Sequence, residues 1–291
     1  MPRRLQIALR RVVVNYKRKK YSHIWPIDPS AGNPPENWPG WPENKKFALV
    51  LSHDVDTQRG HDHCLQLMHI EKELGFRSSF NFVPERYTVS EKVRAEIVNN
   101  GFGVGVHGLK HDGKLFSSKK LFNKRAEQIN LYLKQWGTKG FTSPSAHHNL
   151  RWMRALDIEF DTSTFDTDPF EPQPDGVATI FPFRVNGKSN TNGFLEMPYT
   201  LPQDFTLFII MRELGIDVWE KKLAWIAEKG GMALLNTHAD YMNFEGNTHS
   251  LETYPYEYYE RFLRHVKNRY AGQYWGALAG EVARYIHQKM G

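Results

Sequence analysis

The stretch FALVLSHDVD at residues 47–56 decides how this sequence is interpreted. Its first five residues form an apolar run of the length expected for a buried strand. Asp54 and Asp56 follow at once, and two carboxylates at the end of a buried strand carry a desolvation cost that a functional site would explain. Alternate residues of a strand point to the same side, so the two side chains are expected to converge on one site. The alternative is a turn in which both carboxylates are solvated or cap the next helix.

Polar stretches also follow two later apolar strands. The strand at 103–106 leads into His107 and His111, and the strand at 233–235 leads into His238. Histidines four residues apart share a face where the chain turns helically, and such a pair suits a transition metal. The alternative is two ordinary histidines. Zinc peptidases carry Glu directly after the first His, and Gly108 at that position excludes their pattern.

Strands and helices alternate from residue 46 onward, which predicts a parallel sheet or a barrel. The predicted strands are 47–51, 79–83, 103–106, a short one at 141, and 233–235. The predicted helices are 61–74, 93–101, 118–136, 150–156 (capped by Asn149), one capped by Asp217, 256–269 and 278–289. The segment 160–210 is the least regular and predicts long loops. Barrel enzymes place their active sites at the carboxyl ends of the strands. There, one Asp and two His would supply three metal ligands and leave a position for water.

The order and chemistry of these motifs resemble the polysaccharide deacetylases of carbohydrate esterase family 4 over about residues 46–240. The resemblance implies an α/β fold, a distorted (β/α) barrel with about seven parallel strands. It also implies that Asp54 is the catalytic base and that His238 is the general acid. The implied ligands of one divalent metal ion are Asp56, His107 and His111.

The third motif of that family usually reads Arg-x-Pro, and here Thr142 stands where the arginine is expected. That arginine normally orients the catalytic carboxylate, so Arg151 and His147 are candidate substitutes. The family also has an aspartate that orients the late histidine, for which Asp166 and Asp168 are both candidates. The predicted substrate-binding residues, from their places in loops near the site, are His147, His148, Arg151 and Phe170.

The charge of the chain is concentrated at its amino terminus. The 291 residues include 38 basic and 32 acidic side chains, a formal net charge of +6. Residues 1–20 hold eight of the basic side chains and no acidic one, which leaves the rest at −2. This distribution argues against a nucleic-acid partner for the body, because phosphate binding requires a basic surface. The predicted domains are a basic arm with a Pro/Trp-rich strap at 1–45 and a barrel at 46–291.

The basic arm is predicted to form an amphipathic helix, for which two interpretations are open. One is a solvated or docked helix, and the other is a helix that contacts a partner or an anionic membrane surface. Its predicted apolar side consists of Leu5, Leu9, Val12, Val13 and Tyr16. Arg10 and Arg11 interrupt the apolar core that a signal peptide would need. A single cysteine, Cys64, excludes an intrachain disulfide framework. These features predict a cytoplasmic protein, peripheral to the inner face of the membrane.

The leading functional prediction is a metal-dependent hydrolase that removes N-acetyl groups from amino sugars of a polysaccharide or a lipid-linked glycan precursor. Zinc is the favoured metal, and iron, cobalt or nickel also suit two His and one carboxylate. One alternative is a hydrolase of another amide, a cyclic ureide or a small acylated amine, on the same barrel. The other is a catalytically silent barrel that binds glycans.

Overall fold

The computed structural model describes residues 3–186, 193–246 and 248–290. The strands are β1 (Phe47–Val55), β2 (Ser79–Phe82), β3 (Gly103–His107), β4 (Gly140–Thr142), β5 (Phe160–Asp161), β6 (Phe183–Val185), β7 (Phe194–Glu196), β8 (Met232–Thr237), β9 (Met242–Asn243), β10 (Tyr254–Pro255) and β11 (Tyr274–Gly276). The helices are α1 (Arg3–Lys20), α2 (Gln58–Leu74), α3 (Glu91–Asn99), α4 (Lys119–Trp136), α5 (Leu150–Met153), α6 (Asp217–Lys229), α7 (Glu257–Arg269) and α8 (Ala279–Met290).

The main sheet is curled and mostly parallel. Seven parallel strands follow one another in the order β8-β1-β2-β3-β4-β5-β7. The curled sheet forms a half-barrel. One isolated bridge, between Leu201 and Leu235, links the chain after β7 to β8. Short β11 pairs with the start of β1, and β6 runs antiparallel to β7 at the edge. The prediction of a distorted (β/α) barrel with about seven parallel strands is confirmed.

Strand β1 lies at the centre of this sheet and carries the first motif. All nine of its residues are buried, as expected for a parallel strand covered on both faces. Its register with β2 places Asp54 opposite Asn81, and its register with β8 places Ser52 opposite Asn236. The polar carboxyl ends of the three strands therefore meet at one edge of the sheet.

The ends of the helices follow local sequence rules. Helices α2 and α4 end at Gly75 and Gly137, whose φ angles of 81° and 63° lie in the left-handed region that glycine tolerates. The Asn149 side chain accepts a hydrogen bond from the Trp152 amide at 3.1 Å and caps α5, as predicted. Asp217 is the first residue of α6 rather than its cap, which is Ile216. At this position the Asp217 carboxylate still interacts favourably with the positive end of the helix dipole.

The segment predicted to be irregular contains more structure than expected. Strands β5, β6 and β7 lie within it, each two or three residues long, and a single π-helical segment follows at Phe205–Ile210. Strands this short leave too little period-2 alternation to be recognised in a sequence. The π-helical segment is relevant to function because it receives the amino-terminal helix.

The amino-terminal helix α1 packs on that segment. Ile7 and Val14 are buried, and the Arg11 guanidinium donates to the Ile209 carbonyl oxygen at 2.8 and 3.2 Å. The strap that follows is anchored by tryptophans, since Trp41 is buried and donates from Nε1 to the Gly230 carbonyl at 2.8 Å. Within the described residues, no helix has the length and apolarity required to cross a membrane.

Candidate functional site

The three predicted metal ligands lie together at the carboxyl edge of the sheet. One ligand atom from each of Asp56, His107 and His111 can be chosen so that all three are within 4.8 Å of one another. Asp56 Oδ1 is 3.4 Å from His107 Nε2 and 3.0 Å from His111 Nε2. His107 is the last residue of β3, whereas His111 lies in a turn with a φ of 50°. A tight turn, and not a helix, brings the two imidazoles together.

The orientation of His107 is fixed from behind. Its Nδ1 donates to the Thr142 carbonyl oxygen at 3.0 Å, so the hydrogen sits on Nδ1 and the Nε2 lone pair faces Asp56. A hydrogen bond of this kind on the far nitrogen is the usual arrangement for a metal-binding histidine, because it fixes both tautomer and ring orientation. Burial disfavours a charged imidazole, but the Asp54 and Asp56 carboxylates outweigh it and raise the pKa of His107.

The donor set fits a divalent metal ion. Ligand atoms about 2.0–2.1 Å from a tetrahedral zinc are separated from one another by roughly 3.3 Å, close to the spacings around Asp56 Oδ1. Among the described residues no aligned hydrogen-bond donor reaches this buried oxygen, which is the state expected of an atom reserved for a metal. Burial alone would raise the pKa of Asp56, but His111 and His107 outweigh burial and hold it well below its usual value. The ligand is therefore ionised at neutral pH.

Asp240 supports the backbone that presents Asp56. Its carboxylate accepts a hydrogen bond from the Asp56 amide at 2.9 Å and another from the Thr57 hydroxyl. The Tyr241 hydroxyl lies 3.4 Å from Asp56 Oδ2, the oxygen that does not face the imidazoles. Sequence reasoning missed Asp240, although it follows the same late strand as His238.

The candidate base Asp54 is held by two amide groups. Asn81 Nδ2 donates to Oδ1 at 3.0 Å, and Asn236 Nδ2 donates to Oδ2 at 2.7 Å. The two asparagines lie in β2 and β8, on either side of β1. They provide the orientation that the family resemblance assigns to an arginine. Thr142, at the arginine position, bonds instead to the Thr162 hydroxyl.

The candidate acid His238 is oriented by Asp204. His238 donates to this carboxylate from Nδ1 at 2.7 Å and from its amide at 2.8 Å. The Tyr254 hydroxyl donates to the same carboxylate at 3.0 Å. Burial favours the neutral imidazole, but Asp204 outweighs burial and raises the pKa of His238 to about 10. The ring is thus a proton donor at neutral pH, as a general acid must be.

The prediction that Asp166 or Asp168 orients His238 is corrected by the structure, because in the described residues neither is hydrogen-bonded to that ring. Asp166 is buried in an ion pair with Lys222, whose Nζ lies 2.6 Å away. Asp168 accepts from the Phe170 amide at 2.9 Å, and burial together with Glu171 raises its pKa to about 8. Both carboxylates have other partners, and the carboxylate that contacts His238 is that of Asp204.

Comparisons with known proteins support the fold. No family model matches the sequence, and no curated protein is significantly similar to it. A solved structure from Mycobacterium smegmatis, assigned as a polysaccharide deacetylase, superposes with a TM-score of 0.67 at 14% identity, covering 89% of this chain and 94% of that one. The chain has the polysaccharide deacetylase fold.

Two further structures share this fold, one named as an allantoinase and the other as a pseudoenzyme. Puue allantoinase superposes with a TM-score of 0.62 at 13% identity, covering 87% of this chain and 95% of that one. A family 4 pseudoenzyme from Bacillus anthracis superposes with a TM-score of 0.50 at 14% identity, covering 82% of this chain and 66% of that one. The activity must therefore be argued from the site, because one fold carries several chemistries.

The site opens into one large cavity of about 880 Å³, within the usual size range of ligand pockets. Of the predicted substrate-binding residues, Phe170 lines this cavity. The other three lie elsewhere. His147 borders a small neighbouring pocket with His111, His148 Nδ1 donates to the Ala146 carbonyl oxygen at 2.9 Å, and Arg151 is exposed on α5. None of the four is a hydrogen-bond partner of Asp54 in the described part of the chain.

Proposed function

We propose that the chain is a metal-dependent deacetylase that removes acetyl groups from N-acetylated amino sugars of a glycan. The observation that supports this most strongly is the arrangement around one cavity of a candidate base, a candidate acid and a metal-binding set. Asp54 accepts hydrogen bonds from two side-chain amides, and the Asp204 carboxylate keeps His238 protonated. Hydrolysis of an amide needs a base that accepts a proton and an acid that donates one, both close to the metal-binding residues.

Asp56, His107 and His111 would hold a divalent ion, and its Lewis acidity would lower the pKa of water and polarise a carbonyl group. Asp54 accepts the proton of the attacking water, since each of its oxygens keeps a lone pair beyond the one used by an asparagine. His238 donates its proton to the departing nitrogen. Asp204 keeps that ring oriented and stabilises the imidazolium before transfer.

The shape and lining of the cavity support a sugar substrate. A cavity of about 880 Å³ accommodates an oligosaccharide segment rather than a single acetyl group. Its wall combines the aromatic rings of Phe170, Tyr199, Phe205 and Tyr241 with hydroxyl and carboxylate groups. Sugars present apolar faces to such rings and hydroxyls to such polar groups.

Zinc is the metal we propose, because two imidazoles and a carboxylate with an open position form a common catalytic zinc site. Iron, cobalt and nickel accept the same donors and are distinguished by metal analysis of the purified protein. The predicted cytoplasmic location is a separate proposal, which fractionation of cells that express the chain would test.

The decisive experiment follows acetate release from chitooligosaccharides by the wild-type protein, before and after chelation. We expect release that stops on chelation and returns when one equivalent of zinc is restored. Ring opening of a cyclic ureide, measured in parallel, would indicate the other hydrolase. Glycan binding without turnover at any metal loading would indicate a silent barrel and would end the deacetylase proposal.

The Asp204–His238 pair predicts a shift in pH dependence. Asp204→Asn removes the negative charge that raises the pKa of His238, so this pKa should fall by about 1–3 units. The protonated acid is then lost at a lower pH. The descending, alkaline limb of the kcat/KM profile is expected to move to lower pH, with a larger loss of activity at pH 8 than at pH 6.

Tyr254→Phe is the matched control for this variant. It removes a hydrogen bond to the same carboxylate but leaves the charge in place, so the alkaline limb should move by less than about half a unit. An alkaline limb that stays in place in Asp204→Asn would contradict the role of His238 as the acid.

A further inference from the structure

Helix α1 has an inner face that packs on the body and an outer face that does not. On the inner face, Ile7 and Val14 are 2% and 6% exposed, and Arg18 forms an ion pair with Glu213 at 2.6 Å. The outer face carries the five apolar residues predicted to be its apolar side, which are 50–71% exposed: Leu5, Leu9, Val12, Val13 and Tyr16. The prominent apolar side of the helix is therefore turned to solvent.

These five residues form one continuous stripe. At 100° per residue, Leu5, Leu9, Val12 and Tyr16 fall on one line of the helix surface and Val13 lies beside it, opposite Ile7 and Val14. They make up five of the nine large hydrophobic side chains found exposed in the described residues. A contiguous exposed apolar stripe of this kind marks a contact surface, whereas scattered apolar residues do not.

The charge of the helix identifies the partner. Helix α1 contains no Asp or Glu, and its last turn is Lys17-Arg18-Lys19-Lys20. Lys17 donates to the Pro169 carbonyl oxygen and its charge also acts on Glu171, whereas Lys19 and Lys20 are exposed. Two copies of such a helix would repel each other. An anionic lipid surface satisfies both the apolar stripe and the positive charges, because lysines extend their stems over an apolar face toward headgroups.

We propose that the outer face of α1 docks on an anionic membrane surface, with the helix axis parallel to that surface. Leu5, Val12 and Tyr16 enter the boundary between headgroups and acyl chains, while Lys19 and Lys20 bind anionic headgroups. The inner face remains packed on the π-helical segment and holds the body against the membrane.

The docked helix also forms one wall of the catalytic cavity. Two residues of the apolar stripe, Leu9 and Val13, also line that cavity. In all, seven residues of α1 line it: Gln6, Ile7, Leu9, Arg10, Val13, Val14 and Lys17. The cavity and the membrane-facing stripe are therefore adjacent on one helix. This part rests on the proposed function: the substrate class would be N-acetylated sugars held at the membrane by a lipid.

Co-sedimentation of the full chain with vesicles tests the docking. One set of vesicles contains phosphatidylcholine alone. The other, anionic set contains phosphatidylcholine and phosphatidylglycerol at a molar ratio of about 70:30. Lys19→Glu/Lys20→Glu changes charge, and Val12→Asp/Tyr16→Asp changes the stripe at residues that are 71% and 70% exposed and lie outside the cavity lining. The matched control is Val98→Asp/Leu131→Asp, at apolar residues 55% and 59% exposed on α3 and α4.

We expect the wild type to bind the anionic vesicles and to lose binding as salt rises. Each basic residue contributes about fivefold to the partition coefficient, so the charge variant should bind more than about 20-fold more weakly. The stripe variant should lose at least about tenfold, since each buried methylene contributes several-fold. The control should bind like the wild type.

Unchanged binding in both arm variants would overturn the proposal. So would a wild-type dimer that ignores vesicles and dissociates in the stripe variant, which would make the outer face a contact between copies. Acetate release from soluble chitooligosaccharides should be equal in all these variants. Vesicle binding without turnover of any substrate would refute the proposed function and leave the docking intact.

Discussion

Asp56→Ala is expected to yield a protein with less than about a tenth of the wild-type metal content after gel filtration, because one of three ligands is removed. Lewis acidity is worth several kcal/mol, and each 1.36 kcal/mol is tenfold in rate, so deacetylation should fall by at least about 10³-fold. Elemental analysis and acetate release measure the two effects on the same preparation.

The fold should survive this change. The Asp56 backbone amide, which donates to Asp240, is present whatever side chain stands at the position. Circular dichroism on heating checks this, and Asp56→Asn repeats the experiment without creating a cavity. Glu171→Gln is the matched control, a carboxylate that lines the same cavity but is not one of the three grouped residues, and it should keep its metal. Full metal content in both Asp56 variants would show that the ligand is another residue.

The parts of the site that follow strands could be predicted from the sequence. An apolar run fixes a strand, parallel strands share a carboxyl edge, and polar residues just beyond that edge meet. This reasoning brought Asp54, Asp56, His107 and His238 together. Asn81 and Asn236 also lie near the carboxyl ends of their strands, but they were not predicted. A neutral amide in a mostly apolar strand is a weaker sign of a functional site than a charged side chain. Both asparagines lie directly against β1 through the register of the sheet.

Asp204 could not be predicted in that way. It lies 34 residues from His238 along the chain and precedes a π-helical segment that no periodic pattern announces. The candidates Asp166 and Asp168 were chosen by sequence pattern, but their partners depend on distant elements. Lys222, which pairs with Asp166, is 56 residues away on α6. A pairing of that kind is set by tertiary packing, which a single sequence does not reveal.

The orientation of α1 shows the same limit. The sequence establishes an amphipathic helix and its prominent apolar stripe. Which face packs is decided by the receiving surface, where the Ile209 carbonyl accepts Arg11 and Glu213 pairs with Arg18. These contacts turn the minor apolar face, Ile7 and Val14, inward. The stripe, which the sequence identifies as the apolar side of the helix, is thereby left for a partner outside the chain.

Asp54→Asn is expected to lower kcat by about 10²- to 10⁴-fold, the usual worth of a general base, while the metal content stays that of the wild type. The amide has the size of the carboxylate but cannot accept a proton at working pH. The ascending, acidic limb of the pH–rate profile reports protonation of the base, so it should disappear in this variant. Acetate release from pH 4 to 9, with metal analysis of each preparation, provides both measurements.

Asn81→Ala separates loss of the base from disturbance around it. It removes one donor to Asp54 but keeps the carboxylate, so the acidic limb should remain while the rate falls by about 10- to 100-fold, the worth of a hydrogen bond to a charged group. The two variants thus differ in the form of the pH profile as well as in rate. If Asp54→Asn kept the acidic limb, the proton acceptor would be another group. The two amide donors would then serve only to hold a buried charge beside the metal site.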